Sequence, residues 1–236
     1  MFLIITRSFP PSVGGMQNLM WGLVKSLSKI NLIKVFADYE TNHEEFDNSV
    51  SFTINRVGGP KLIRKFRKTY LINEYIKKNN NIECVISDHW KSLENIKTLK
   101  KKICLIHSKE INHDPGTRLN KRVLDVLNNT DVIISNSNFT KKLAVEKGVN
   151  ENLIIVINPG IDPIKEIDKK YLEKAEELLK NKTPRLITVA RLDKRKNHAK
   201  VIMALRNLKE KFPKIIYTCI GNGEEHENIR KLTRQL

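Results

Sequence analysis

The sequence predicts an α/β fold built on a parallel sheet with helices on both of its faces. Short runs rich in Val, Ile and Leu alternate along the chain with longer segments whose apolar residues recur at helical spacing. The short runs are apolar at nearly every position, which is typical of strands buried on both faces. Strands that alternate with helices are joined by crossover connections, and such connections make neighbouring strands parallel.

The predicted strands follow one another from the first residues of the chain almost to the last. They are residues 2–6, 33–37, 84–87, 103–107, 132–135, 153–157, 186–190 and 215–220. A helix is predicted between the first two strands, because Met16, Leu19, Met20, Leu23, Val24 and Leu27 share one helical face. After the seventh strand, Val201, Ile202, Leu205, Leu208 and Phe212 show the same spacing and predict another helix.

The alternation is interrupted at the turn-forming segment 158–163, which precedes a highly charged segment of helical character at 165–182. We therefore predict two domains, residues 1–163 and residues 164–236. The second region is shorter than a typical domain and supplies only the last two predicted strands. The sequence thus predicts a complete first domain and an incomplete second one.

The chain is strongly basic, with 43 Lys and Arg residues against 26 Asp and Glu residues and a formal net charge of +17. Such a balance favours anionic partners, which include nucleotides, phospholipid surfaces and nucleic acid. Nucleic acid is not expected, because no aromatic stacking ladder, zinc-ligand set or recognition helix accompanies the charge. Most of the charge is interpreted as solvated helix faces. The basic segment 61–68 suits either that interpretation or peripheral contact with an anionic membrane.

Cysteine usage and the absence of long apolar runs indicate a cytoplasmic protein. Cys84, Cys104 and Cys219 each lie inside a predicted strand and show no Cys-x-x-Cys spacing, so we expect buried free thiols in a reducing compartment. The first apolar run is short and has no basic residues before it, unlike a signal peptide. No run reaches the ~20 apolar residues that a membrane helix requires.

Gly14 and Gly15 lie between the first strand and the first helix. Backbone amides at a helix N-terminus bind phosphate, and glycine leaves those amides uncovered. An ordinary tight turn is the alternative explanation for the pair. The segment does not match Gly-x-Gly-x-x-Gly, and the chain contains no Gly-x-x-x-x-Gly-Lys, so neither a dinucleotide fingerprint nor a P-loop is predicted.

Arg191 and Lys196 follow the seventh strand and precede a helix that we expect Asn197 to cap. This position is the carboxyl end of the sheet, where open α/β sheets bind ligands. Arg binds phosphate as a planar fork and Lys binds it as a point charge, so the pair suits a pyrophosphate. The alternative is a basic surface loop, because Lys194 and Arg195 are charged as well.

Three histidines and one acid are further candidate site residues. His107 ends a predicted strand at the ligand-binding edge, and His89 has a similar position, with a structural role as the alternative for both. His226 lies among glutamates at the start of a helix, where acids complement the helix dipole, so no metal site is predicted there. Asp38 ends the second strand in the manner of a ribose-binding acid, but it has no matching glycine loop.

Taken together, the ordered segments resemble family 4 of the retaining nucleotide-sugar glycosyltransferases, which have the GT-B fold with two Rossmann-like domains. The segments that carry the resemblance are 9–15, 132–141, 158–162, 186–198 and 220–223. The resemblance implies a GT-B-like α/β protein with one complete Rossmann-like domain and one incomplete Rossmann-like domain.

The resemblance also implies the partners and the site. The donor is expected to be a nucleotide-diphosphate sugar, and the acceptor a glycan or a lipid-linked molecule. Arg191 and Lys196 are expected to hold the donor diphosphate and stabilise its leaving charge. Gly14 and Gly15 are expected to allow close approach to phosphate and sugar, and His107 to lie near the transferred sugar. No metal or other cofactor is implied.

The chain departs from the family pattern in its last residues. The family's later Glu-x7-Glu segment does not occur after Gly223, and Glu224, Glu225 and Glu227 follow the preceding strand too closely to replace it. We therefore expect an enzyme whose activity in this chain is in question, with a non-catalytic truncated or interaction protein as the alternative. A dehydrogenase is not expected, because His226 stands where a third glycine would be required.

Overall fold

A computed structural model describes residues 1–161 and 166–235. The chain divides into two units, residues 1–161 and 162–236, which we call unit 1 and unit 2 and describe separately. The predicted domain boundary between residues 163 and 164 lies outside the described residues.

Unit 1 contains a seven-stranded sheet. Its strands are β1 (Phe2–Ile5), β2 (Ile33–Asp38), β3 (Thr53–Val57), β4 (Cys84–Ser87), β5 (Lys101–Ile106), β6 (Val132–Ser135) and β7 (Ile154–Val156). Its α-helices are α1 (Gly15–Leu27), α2 (Glu44–Asn48), α3 (Lys61–Lys78), α4 (Trp90–Leu93), α5 (Arg118–Leu127) and α6 (Asn138–Glu146).

All pairings within this sheet are parallel, and the strand order is β3-β2-β1-β4-β5-β6-β7. The order of strands therefore reverses between β1 and β4, which is the switch point at which open α/β sheets bind ligands. The predicted fold class, a parallel α/β sheet, is confirmed.

Both faces of the sheet are covered by apolar side chains. Leu3 and Ile5 of β1 belong to one buried layer, together with Val85 of β4. Ile4 lies between them in sequence and belongs to the opposite layer, together with Met20 of α1. Alternate residues of a strand point to opposite faces, so a strand buried on both faces must be apolar throughout. This requirement explains the continuous runs in the sequence.

The strand β3 is absent from the predicted set. It is the outer strand beyond β2, and Thr53 and Asn55 are exposed while Val57 is buried. Because the core covers only part of this strand, Thr53, Asn55 and Arg56 interrupt its apolar residues, and it lacks the continuous apolar run that predicts the other strands.

Unit 2 contains two parallel strands, β8 (Arg185–Val189) and β9 (Ile216–Ile220), close to the predicted ranges. Its α-helices are α7 (Lys169–Leu179), α8 (His198–Leu208) and α9 (His226–Gln235), and a 3-10 turn covers Lys194–Lys196. Its buried apolar cluster consists of Leu192, Ile202 and Ile229.

The three cysteines are free, as predicted. Cys84 and Cys104 are buried and Cys219 is half-buried. Burial raises the pKa of both Cys84 and Cys104, so these two thiols stay protonated at neutral pH. In the part of the chain that the structure describes, no helix combines the length and the apolar character needed to cross a membrane.

Candidate functional site

A pocket of about 460 Å³ opens at the carboxyl edge of the sheet in unit 1. It lies at the β1/β4 switch point, and we call it the switch-point pocket. The residues that line it follow the ends of neighbouring strands: Arg7 follows β1, Asp88 and His89 follow β4, and His107 and Glu110 follow β5. Parallel strands thus deliver these polar side chains to one place, although they are far apart in sequence.

His107 lies directly after β5, at the edge where its position in the sequence predicted it. Its backbone N–H donates a hydrogen bond to Glu110 Oε1. Its Nε2 atom is buried and makes no hydrogen bond within the described residues. A buried polar atom without a partner is costly, and a ligand that hydrogen-bonds it recovers that cost. His107 therefore lines the switch-point pocket with an unpaired buried nitrogen, and its contact with a ligand stays a prediction.

Asp88 is a polar residue of this pocket that the sequence analysis did not identify. It is only 3% exposed. Its Oδ2 atom accepts hydrogen bonds from Thr6 Oγ1 at 2.8 Å and from the Arg7 backbone N–H at 3.1 Å, while Oδ1 is buried without a partner among the described residues. Burial raises the pKa of Asp88, and the hydrogen bonds from Thr6 and Arg7 oppose that rise.

For His89 the structural alternative is supported. The residue precedes α4, and its Nδ1 atom accepts a hydrogen bond from the backbone N–H of Lys91 at 3.0 Å, which caps the helix. Burial, followed by the nearby charges of Arg7 and Lys91, lowers the pKa of His89 to about 3. Its imidazole is therefore neutral at physiological pH and serves as a hydrogen-bond acceptor at the wall of the pocket.

Gly14 and Gly15 lie at the N-terminus of α1, with Gly14 as the N-cap residue. A Cβ atom on Gly15 would meet nothing within 4 Å, and one on Gly14 would meet only the flexible end of the Gln17 side chain. Packing within the chain therefore does not require either glycine. At Gly15 the bare backbone faces open space, whereas the Gln17 side chain lies beside Gly14. Met16, the next residue, lines the switch-point pocket.

Arg191 and Lys196 lie in unit 2 between the carboxyl end of β8 and α8, as predicted. The Arg191 side chain is 76% exposed, and its Nη2 atom lies 3.8 Å from Asp193 Oδ2. The Asp193 side chain accepts a hydrogen bond from the backbone N–H of Lys196 at 3.1 Å and so fixes the turn between the two cations. Both cationic groups are exposed and available to an anion.

Asn197 is the N-cap residue of α8, as predicted, but its side chain does not cap the helix. Asn197 occupies the N-cap position with a left-handed φ of 60°, and its side chain makes no capping hydrogen bond. A capping side chain normally projects from an extended residue toward the next amides, and the left-handed conformation turns it elsewhere. Asparagine is one of the few residues other than glycine that adopt this conformation readily.

The Arg191 loop is supported by the glycine segment after β9. A Cβ atom on Gly221 would lie 1.9 Å from the carbonyl oxygen of Ala190, so only glycine fits there. The backbone N–H of Leu192 donates to the carbonyl oxygen of Asn222 at 3.0 Å. The buried His198 adds a second support, because its ring lies 3.4 Å from the carbonyl oxygen of Arg191. His198 was not among the residues predicted from the sequence.

The remaining sequence candidates have structural partners. Asp38 is paired with Lys68 Nζ at 2.8 Å and with Arg64 at 3.2 Å, so two cations already occupy its carboxylate. His226 is half-exposed and lies 3.2 Å from Glu227 Oε1. Within residues 1–161 and 166–235, no group of three His, Cys, Asp or Glu side chains is arranged to hold a metal ion.

Comparison with known protein families gives two consecutive matches. The family model described as Glycosyltransferase Family 4 matches residues 13–165, and the one described as Glycosyl transferases group 1 matches residues 170–236. None of the curated proteins compared with the chain matches it.

Solved structures share the fold. A glycosyltransferase from Rickettsia africae has a TM-score of 0.75 at 21% identity. The alignment covers 99% of this chain and 64% of the Rickettsia chain. Anabaena Alr3699/HepE in complex with UDP-glucose has a TM-score of 0.76 at 13% identity. The alignment covers 100% of this chain and 66% of the Anabaena chain. The UDP-GlcNAc 2-epimerase from Methanocaldococcus jannaschii has a TM-score of 0.53 at 14% identity. The alignment covers 100% of this chain and 68% of the epimerase chain. The chain thus spans about two thirds of these proteins, and the comparisons confirm the predicted family and GT-B-like fold.

Proposed function

The chain belongs to Glycosyltransferase Family 4, and we propose that it acts in the transfer of a sugar from a nucleotide-diphosphate sugar to an acceptor hydroxyl. The observation that carries this proposal is the pair of consecutive family matches, at residues 13–165 and 170–236. The Anabaena protein of the same fold binds UDP and UDP-glucose, which supports a uridine diphosphate sugar as the donor.

In this proposal, Arg191 and Lys196 bind the diphosphate of the donor. Transfer breaks the bond between the anomeric carbon and the oxygen of the terminal phosphate, and the electron pair stays on that oxygen. Cations fixed beside the departing oxygen stabilise its growing negative charge more than they stabilise the bound substrate, and this difference accelerates the reaction. The exposure of both side chains at the carboxyl end of β8 supports this role.

We assign the sugar and its surroundings to unit 1. His107 contacts the transferred sugar through its buried Nε2 atom, which has no hydrogen-bond partner in the described chain. Gly14 and Gly15 present bare amides at the start of α1 to the phosphate and sugar. The acceptor hydroxyl oxygen forms the new bond to the anomeric carbon with retention of configuration, and its proton passes to the departing diphosphate. The acceptor is a glycan or a lipid-linked molecule. The reaction needs no metal, because fixed cations carry the charge, and we expect EDTA to leave donor binding unchanged.

Calorimetry with UDP and UDP-glucose tests the donor site. We expect Arg191→Gln and Lys196→Gln each to weaken binding about 10-fold to 100-fold, because a hydrogen bond to a charged group contributes roughly 1.5–3 kcal/mol. Arg206→Gln and Lys209→Gln are the matched controls, since both residues are exposed and belong to the same unit. Equal losses in the controls, or full affinity in both loop variants, would refute the assignment.

The epimerase likeness supplies a second candidate activity, because the same fold serves both reactions. An epimerase converts UDP-GlcNAc to its 2-epimer without any acceptor. A transferase moves the sugar from the nucleotide to an acceptor and releases UDP. Incubation of labelled UDP-sugars with and without acceptors, followed by chromatography of sugars and nucleotides, separates these outcomes. Absence of any turnover with intact donor binding would favour the non-catalytic alternative.

A further inference from the structure

A second pocket, of about 260 Å³, lies beside the switch-point pocket in unit 1, and we call it the cationic pocket. Helix α3 contributes Lys61, Arg64, Lys65 and Lys68 to its wall. The remaining cations that line it are Arg7, Lys91 and Arg122. One small cavity is therefore surrounded by seven basic side chains from four parts of the chain.

The carboxylates around the cationic pocket do not neutralise it. Asp38 pairs with Lys68 and Arg64, and Glu94 pairs with Lys65 and Arg122. Three of the seven lining cations therefore have no carboxylate within ion-pair distance in the described residues. These three are Arg7, Lys61 and Lys91.

The cations in the cationic pocket repel one another. Burial lowers the pKa of Lys91, and the charges of Arg7, Arg122 and Lys61 lower it further. Like charges held together in a partly desolvated site cost free energy, and a bound anion relieves that cost. The arrangement is therefore one that an anionic ligand stabilises.

The sequence left the segment 61–68 open between a solvated helix face and contact with an anionic membrane. Lys68, at the wall of the cationic pocket, does not belong to a solvated face. Lys68 is 6% exposed as a residue, and its ammonium group donates hydrogen bonds to Asp38 Oδ1 at 2.8 Å and to the carbonyl oxygen of Thr6. Ile5 and Ile72 supply apolar wall beside it. A concave site with apolar walls and a few convergent polar groups is typical of a ligand pocket.

The cationic pocket and the switch-point pocket share Arg7, Asp38 and Arg64 in their walls, so they adjoin. A molecule whose anionic group occupies the first pocket therefore extends naturally into the second, where His107 lies. We propose that the cationic pocket binds a phosphate group carried by the acceptor, with the remainder of the acceptor in the switch-point pocket. Arg and Lys together provide the fork and point-charge contacts that phosphate takes.

This proposal rests on the proposed function, but its test does not depend on donor binding. Calorimetry with glycerol 3-phosphate is carried out on the full chain in an Arg191→Gln/Lys196→Gln background, so that phosphate bound by the unit 2 loop is not counted. Glycerol is the uncharged comparison. We expect glycerol 3-phosphate to bind and glycerol not to bind.

The decisive variant is Lys61→Gln/Lys91→Gln, because both residues line the cationic pocket and neither lines the switch-point pocket. We expect it to weaken glycerol 3-phosphate binding at least 10-fold. The control is Lys78→Gln/Lys101→Gln, which removes the same charge from two exposed positions outside both pockets, and it should stay within about twofold of the background. Tryptophan fluorescence confirms folding, and single Lys61→Gln and Lys91→Gln variants replace the pair if it fails to fold.

Two results overturn the proposal: no binding of glycerol 3-phosphate to the background chain, or equal losses in the pocket and control variants. Vesicles of phosphatidylglycerol and of phosphatidylcholine then identify the source of the phosphate. Vesicle binding that is selective for phosphatidylglycerol, lost in the pocket variant and displaced by glycerol 3-phosphate indicates a lipid headgroup. Glycerol 3-phosphate binding without such vesicle binding indicates a soluble phosphorylated acceptor. In either case the phosphate assignment holds.

Discussion

Unit 1 and unit 2 use the same alternation of strand and helix, but they differ in how much of each strand is buried. In unit 1, Leu3, Ile4 and Val85 are completely buried. In unit 2, Ile187 is 64% exposed and Val189 is 72% exposed, although both lie in a strand. Since the hydrophobic contribution to folding scales with the apolar area removed from water, unit 1 has much the larger source of stability.

The difference in burial extends to the chemistry of the two units. Unit 1 holds its polar groups in preformed pockets, where Asp88, His89 and Lys68 are desolvated and their pKa values are shifted. Unit 2 presents Arg191 and Lys196 on an exposed loop whose backbone contacts Asn222 and His198. The polar groups of unit 1 are therefore positioned by a buried core, whereas the two cations of unit 2 depend on the local support of one loop.

The largest expected effect tests the core of unit 1. Phe36 is 1% exposed and packs edge-on against Tyr75 with ring centroids 5.6 Å apart. We expect Phe36→Ala to lower the free energy of unfolding of unit 1 by about 3–5 kcal/mol, through lost burial and a residual cavity. Trp21 and Trp90 both lie in unit 1, so urea unfolding followed by tryptophan fluorescence reports this unit alone.

The matched control for that prediction is Phe139→Ala, because Phe139 is 70% exposed in the same unit. It should change the free energy of unfolding by less than about 0.5 kcal/mol. A similar loss in both variants would contradict the view that the buried layers on the two faces of the sheet carry the stability of unit 1.

The second prediction tests the smaller core of unit 2. Ile202 is 6% exposed, and we expect Ile202→Ala to destabilise unit 2 by about 2 kcal/mol, at the low end for such a substitution because the surrounding cluster is small. Amide hydrogen exchange in β8 and β9 should then accelerate roughly 30-fold, with unit 1 unaffected. Met203→Ala is the neighbouring control, since Met203 is 55% exposed. Unchanged exchange in the Ile202 variant would show that this cluster does not stabilise the unit.

The sequence predicted those parts of the fold that depend on local pattern. Strands such as β4 and β6 were predicted with the bounds observed, because burial on both faces demands a continuous apolar run. The outer strand β3 was missed because the core covers only part of it. The short helices α2 and α4 were also missed, since four or five residues are too few to show helical spacing.

Candidate residues were predicted from the segments that follow strands, because the carboxyl ends of parallel strands share one edge. This rule identified His107, Arg191 and Lys196 but not Asp88, although Asp88 directly follows β4. It could not identify the environment of Lys68. That lysine belongs to a helix, and its burial arises because α3 brings it to Asp38, 30 positions earlier in the chain. Such desolvation is a tertiary effect without a local sequence signal.

The third prediction is that lowering the pH from 7 to 5 reduces the free energy of unfolding of unit 1. The pKa of His89 is about 3 in the folded chain and about 6.5 when unfolded, because burial penalises the imidazolium. The unfolded state therefore binds the proton more tightly, and stability is complete above pH 6.5 and lost as pH falls toward 3. By pH 5 the loss should be about 2 kcal/mol. His89→Asn keeps a helix-capping residue and should remove this loss in urea unfolding at pH 7 and pH 5.

A suitable comparison for His89 is His226→Asn, since His226 is half-exposed and lies in unit 2. It should leave the pH dependence of the tryptophan-monitored transition unchanged. If the His89→Asn variant still lost about 2 kcal/mol of stability between pH 7 and pH 5, groups other than His89 would cause the acid sensitivity of unit 1.

The smallest expected effect comes from Glu94, whose pKa is lowered to about 2 by the hydrogen bond from Arg122 and by Lys65, against the opposing effect of burial. A depressed carboxyl pKa contributes stability that is present above about pH 4.5 and is lost as pH falls toward 2. The two cations are partly exposed, so solvent screening reduces the contribution to about 1 kcal/mol. Glu94→Gln should therefore be less stable than the native chain by that amount at pH 7, and the difference should shrink between pH 4.5 and pH 3. Glu45→Gln, at an exposed position, should differ at neither pH. If the deficit of Glu94→Gln were the same at pH 7 and pH 3, the carboxylate charge would not be its source, and lost packing around the cationic pocket would explain it instead.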